Sequence, residues 1–144
     1  MKLSSIFPFI NGDDGLLEVT KKTLPLYKEC AWDFEKDRAI FVDGSPKIVY
    51  GNEGIKVWIY KAIKTNRYQQ EIYTWEYGSE IESLLGKGFQ LGFIKSETKR
   101  YIEEALIVNP YITNINRIDI DFETDVLSAY IDLETVYGKL NMYV

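Results

Sequence analysis

The sequence predicts an α+β fold: an antiparallel sheet, made of an N-terminal hairpin and a C-terminal meander, packed with two main amphipathic helices and one short helix. Three observations carry this. Two windows, Asn52 to Asn66 and Gln90 to Val108, repeat their apolar residues at helical spacing. After Pro110 the apolar period drops from about 3.6 to about 2 residues. Helical windows thus stand between an early strand pair and a late run of strands, which separates helix from sheet along the chain.

Residues 1–25 hold Pro8, Asn11-Gly12, Asp14-Gly15 and Pro25 with little periodicity, so they read as an arm or leader. Residues 26–144 form the domain. Leu26, Cys30, Trp32 and Phe34 alternate on one face, and Ala39 to Val42 resume after the polar Glu35-Lys36-Asp37-Arg38, which predicts a hairpin. In the first helical window Ile55, Trp58, Ile59, Ala62 and Ile63 share a face and leave Lys56, Lys61 and Lys64 to solvent. Ser79, with Glu82 three residues on, has the spacing of a capping box and opens a short helix that closes near Gly86. The second window puts Leu91, Ile94, Thr98, Tyr101, Ile102, Ala105 and Leu106 on one face. Lys99 with Glu103, and Arg100 with Glu104, are spaced as i, i+4 pairs opposite. This helix ends before Asn109-Pro110.

In the meander, Ile118, Ile120 and Phe122 alternate with Asp119, Asp121 and Glu123. Leu127, Ala129, Ile131 and Leu133 then alternate with Ser128, Tyr130, Asp132 and Glu134, and a last strand, Lys139 to Val144, follows Tyr137-Gly138. Both helices are expected on one face of this sheet.

Composition narrows the function. The 144 residues suit one domain, and a net charge of −5 disfavours a nucleic-acid partner held by phosphate neutralisation. Histidine is absent, so His-dependent triads and the commonest metal ligand go with it. The single Cys30 allows neither an intrachain disulfide nor a multi-Cys zinc site and suits a reducing compartment. No run of about 18 apolar residues occurs and the N-terminus lacks the pattern of an export signal, so a soluble chain without a membrane partner is expected.

No P-loop, dinucleotide fingerprint, nucleophile elbow or zinc signature is present. Asp119, Asp121, Glu123 and Asp125 supply oxygens of the kind a hard cation needs. On a strand, however, alternate residues advance nearly 7 Å per pair, so they spread into a solvated acidic face. Residues 113–144 hold six acids and two bases; such a face either steers docking onto a basic surface or keeps the sheet soluble. Glu71, Glu76, Glu80 and Glu82 match the residue type of a glycosidase pair, yet no spacing selects two of them. Arg67, among Tyr68, Tyr73, Trp75 and Tyr77, has the makeup either of an interface anchor or of an intramolecular stack.

The order of features carries a resemblance: FVDG at Phe41 to Gly44, KAIKTNRY at Lys61 to Tyr68, IYTWEYGSEIESLLGK at Ile72 to Lys87, the long helix, and ETVYGKL at Glu134 to Leu140. In this order they resemble the XkdS-like family of prophage tail proteins, similar in turn to the small baseplate wedge proteins, or sheath initiators, of contractile phage tails. The resemblance implies a structural, non-enzymatic part of the baseplate of a phage, defective prophage or phage-tail-like bacteriocin. Such a part needs no cofactor, is assembled in the bacterial cytoplasm and is carried in the particle. The implied partners are the larger baseplate wedge proteins, the sheath protein, and the tail tube or hub proteins. Two implied interfaces follow: a loop with Arg67, Trp75, Glu76, Tyr77 and Gly78, and a C-terminal strand with Thr135, Tyr137, Lys139, Leu140 and Met142. That strand would seed the first sheath ring by β-augmentation. The alternative function is a tail-associated, lysozyme-like cell-wall hydrolase.

Overall fold

A computed structural model of the chain describes residues 23–65, 78–84, 86–124 and 126–144. Six short strands come first: β1 (Lys28–Cys30), β2 (Trp32–Asp33), β3 (Arg38–Ala39), β4 (Phe41–Val42), β5 (Ser45–Pro46) and β6 (Ile48–Tyr50). Helix α1 (Gly51–Lys64), a single 3₁₀ turn (Ile81–Leu84) and helix α2 (Leu91–Ile107) follow. Three longer strands close the order: β7 (Ile112–Glu123), β8 (Val126–Thr135) and β9 (Gly138–Tyr143). The α+β class and the expected meander are both present.

The predicted hairpin is found at its tip, where Trp32 pairs with Ala39 and Asp33 with Arg38, but it belongs to a larger device. β1 pairs with β6, and β4 pairs with β5, all antiparallel. The three two-stranded arms meet at Ala31, Ile40 and Lys47. There the backbone closes a ring of three hydrogen bonds: Ala31 N–H to Lys47 C=O (2.7 Å), Lys47 N–H to Ile40 C=O (2.9 Å), and Ile40 N–H to Ala31 C=O (2.9 Å). Every corner group is thereby satisfied although the strands are only two or three residues long. Asp37 (φ +49°) and Asp43 (φ +50°) hold the left-handed turns at two arm tips, a conformation that Asp tolerates better than most residues.

Helix α1 carries Glu53 in its first turn and Lys61 and Lys64 in its last, which suits the helix dipole. It buries Ile55, Val57, Ile59, Ala62 and Ile63. Gly54 lets the helix lie against β1: a Cβ there would come within 2.9 Å of the Tyr27 ring. In α2 the buried stripe is Thr98, Ile102, Ala105 and Leu106, while Leu91, expected on that face, is exposed. The expected Arg100–Glu104 pair forms at 2.6 Å, and Arg100 also binds Glu97 at 2.6 Å. These carboxylates hold the guanidinium well above its ordinary value. The segment expected to form a short capped helix is one 3₁₀ turn. Ser79 is committed elsewhere: its N–H donates to Thr65 C=O and its hydroxyl to Ile63 C=O, which ties the segment to the end of α1.

The sheet has the order β7-β8-β9. Its inner face presents Ile118, Ala129, Ile131, Leu133, Leu140 and Met142 to both helices, where they meet Ile55, Ile59, Ile102 and Leu106 in one core. Each such side chain gains about 1.5–3 kcal/mol from leaving water. Among the described residues no helix is long and apolar enough to cross a membrane.

Candidate functional site: the open edge of the meander

A three-stranded sheet has two edges, and here they differ. β7 carries two register shifts, between Ile112 and Asn114 and between Ile115 and Arg117. Bulges of this kind blunt an edge against further pairing. β9 pairs with β8 without a break from Thr135/Gly138 to Tyr130/Tyr143, and it contains neither a proline nor a bulge.

The pairing phase shows which groups of β9 face outward. Ala129 and Val144 exchange both backbone hydrogen bonds, at 2.8 and 2.9 Å. Because bonded and non-bonded pairs alternate, Met142, Leu140 and Gly138 also direct their backbone at β8. Lys139, Asn141 and Tyr143 therefore turn N–H and C=O away from it. The side chains alternate as well. Leu140 and Met142 are buried in this chain's own core, so they anchor the strand and do not offer contact surface. Lys139 and Asn141 are exposed, and Tyr143 is 77% exposed with its ring 4.9 Å from that of Tyr130.

The turn before β9 is tightly held. Thr135 is buried; its hydroxyl donates to Asn52 Oδ1 of α1 and accepts the Tyr137 N–H at 3.0 Å. Tyr137 stays partly exposed, yet it folds back against the chain. Its hydroxyl accepts the Tyr27 N–H at 2.8 Å, its ring stacks on Tyr111 at 6.3 Å, and Tyr111 donates its hydroxyl to Pro25 C=O at 2.8 Å. A clasp of three tyrosines thus joins the start of the described chain to the β8–β9 turn, which the sequence pattern did not foretell.

The outer sheet face carries Asp119, Asp121, Glu123, Asp132 and Glu134 against Arg117 and Lys139. Arg117 binds Asp119 at 2.6 Å, and this carboxylate, aided by Tyr130 and Asp132 against a small desolvation cost, raises the guanidinium above its ordinary value. Lys95 of α2 reaches Asp121 at 3.6 Å. The strand acids are therefore spread out, and Asp119 and Asp121 each meet one cation, an arrangement suited to a surface.

Of the loop residues expected at an interface, Arg67, Trp75, Glu76 and Tyr77 lie outside the described residues, as do Glu71 and residues 1–22. Gly78 is buried at φ +104°. The FVDG motif has a clear place: Phe41 and Val42 are exposed on the arm β4–β5, whose tip is Asp43-Gly44.

Residues 28–138, from the first strand to the first residue of β9, match the family described as the contractile injection system sheath initiator. The chain belongs to this family. As a sheath initiator family member it is a structural component of a contractile tail and acts with the other tail and sheath components. A curated relative, the phage-like element PBSX protein XkdS of Bacillus subtilis (strain 168), is 27% identical over 139 residues, which cover 96% of this chain and 94% of that protein. The family match thus spans the arms, both helices, β7 and β8, and ends at the first residue of β9.

Proposed function

We propose that the chain is a baseplate component that sits near the tail tube, joins the larger wedge subunits, and starts the sheath by offering the outer edge of β9 as a template. The observation that carries the reading is the β9 edge itself. It is straight, it is anchored from behind by Leu140 and Met142, and it presents the backbone groups of Asn141 and Tyr143 to an incoming strand. Main-chain pairing supplies affinity for an extended segment of a sheath subunit, and one strand shared by two chains passes baseplate rearrangement to the first sheath ring. No catalytic step enters this mechanism. The arm, residues 1–25, and the loop with Arg67, Trp75, Glu76, Tyr77 and Gly78 serve contacts with wedge and tube or hub proteins, before the finished baseplate leaves the bacterial cytoplasm within the particle.

Deleting the last strand is a poor test, because it removes Leu140 and Met142 from the core. Asn141→Pro is better: the lost N–H faces away from β8, so the internal ladder stays whole and stability changes by no more than about 1 kcal/mol. Electron microscopy of particles carrying this variant is expected to show tubes with baseplates but without sheaths. Sheaths of normal length and number on such particles overturn the template role. Sheathed particles that fail to penetrate the wall would instead favour the hydrolase.

A further inference from the structure

We propose that Asn52, the second residue of α1, fixes the register of the strand added to β9 by closing the edge at Lys139. The proposal rests on the template reading above and concerns a residue remote from β9 in sequence. Among the outward backbone groups of β9, the Lys139 C=O is already taken: Asn52 Nδ2 donates to it at 3.3 Å. The amide is held in that sense. Thr135 accepts the Tyr137 N–H, and its own proton has two acceptors in reach; Asn52 Oδ1 is nearer than Gly138 C=O at 3.2 Å and takes it, which leaves the NH₂ group to face Lys139.

An incoming strand gains nothing from a carbonyl that is already bonded. To use it, the strand would have to displace the amide and strand the donor. Among the described residues the open ladder then consists of both backbone groups of Asn141 and of Tyr143, with the Lys139 N–H left beside a carbonyl already bonded, and β9 itself ends at Tyr143. A slip of two residues towards the turn is blocked by Asn52, whether the strand adds parallel or antiparallel, since both modes require the Lys139 C=O at that step. Register matters because a slip of two residues keeps every side chain on its face but changes which one stands beside Tyr143 in the outer Tyr130–Tyr143 row. The fitting ligand is an extended segment of about four or five residues whose outer-face side chain opposite Tyr143 is aromatic or β-branched.

The test uses the full chain with Asn141→Cys in a Cys30→Ser background, mixed with purified sheath subunits carrying single cysteines along their extended segments. Disulfide trapping on the parent is expected to favour one sheath position by about tenfold over its neighbour two residues away. With Asn52→Ala, trapping is expected to spread over both positions within about threefold. Asn52→Asp keeps the acceptor for Thr135 and loses only the donor to Lys139, so it is expected to behave like the alanine variant even if that one folds poorly. An unchanged single position in both variants overturns the role of Asn52 and leaves the template reading standing. Trapping at no sheath position in the parent overturns the template reading itself.

Discussion

The three-armed unit of residues 28–50 and the meander of residues 112–143 are both antiparallel β structure, yet they are held by different forces. The meander has strands of up to 12 residues, and its inner face is sealed by two helices. The arms have strands of two or three residues, and Phe41, Val42, Ile48 and Tyr50 remain exposed on them. Apart from buried Ala31 and the Trp32 ring against the core, what fixes the arms is polar: the backbone ring at Ala31, Ile40 and Lys47, the Trp32 Nε1–H and Tyr60 hydroxyl on Asp37 (each 3.1 Å), and Lys61 on Glu29 at 3.1 Å. Burial therefore anchors the region proposed as a template, and directional bonds shape a region that projects its apolar side chains outward.

The contrast can be broken at its strongest point. Leu133 is fully buried in the meander, so Leu133→Ala is expected to cost about 3 kcal/mol in urea unfolding, from lost transfer energy plus the cavity left behind. The matching truncation Phe41→Ala, at a side chain 62% exposed, is expected to stay within about 0.5 kcal/mol. Equal losses at the two sites would show that the arms contribute to the core after all.

The tie between the regions gives a smaller effect. Tyr137→Phe keeps the ring over Tyr111 but removes the acceptor of the Tyr27 N–H. Thermal unfolding is expected to register a loss of about 1 kcal/mol. No change would mean that water replaces the hydroxyl without cost.

The smallest expected effect is on the arms and depends on pH. The Trp32 indole first, then the Tyr60 hydroxyl and Lys64, against a small desolvation cost, lower the Asp37 carboxyl below its ordinary value. A depressed folded value means stability that is present above the unfolded carboxylate value of about 3.9 and is lost as pH falls through the folded one. Melting curves should place the parent above Asp37→Asn at pH 6, with the gap closing as pH falls through the lowered folded value. A gap independent of pH would assign the effect to shape and not to charge.

How far the sequence spoke follows the same division. The helices and the meander were legible because each repeats its apolar residues long enough to set a period, and Pro110 marks the change from one period to the other. The arms were not, because Lys28–Cys30 pairs with Ile48–Tyr50 across two other hairpins, and two-residue strands have no period to read. Tyr137 looked like a contact residue from its place in ETVYGKL; only the fold brings it against Tyr27 and Tyr111. Whether β9 is an edge is likewise a matter of strand order, which alternation along one strand does not encode. The 3₁₀ turn defeated the capping-box reading because the preceding helix claimed Ser79 for itself.

The closed ring at the arm junction makes each arm's length independent of the others. Nothing that holds the corner passes through the tip at Asp43-Gly44, where Gly44 takes φ +78° and a side chain would meet open space. A short epitope or a fluorophore attachment loop inserted there should leave the corner, both helices and the meander undisturbed. The arm is thus a natural place to put a marker, so that the position and number of these subunits around a tail axis can be counted under the microscope without touching the edge on which the sheath is proposed to grow.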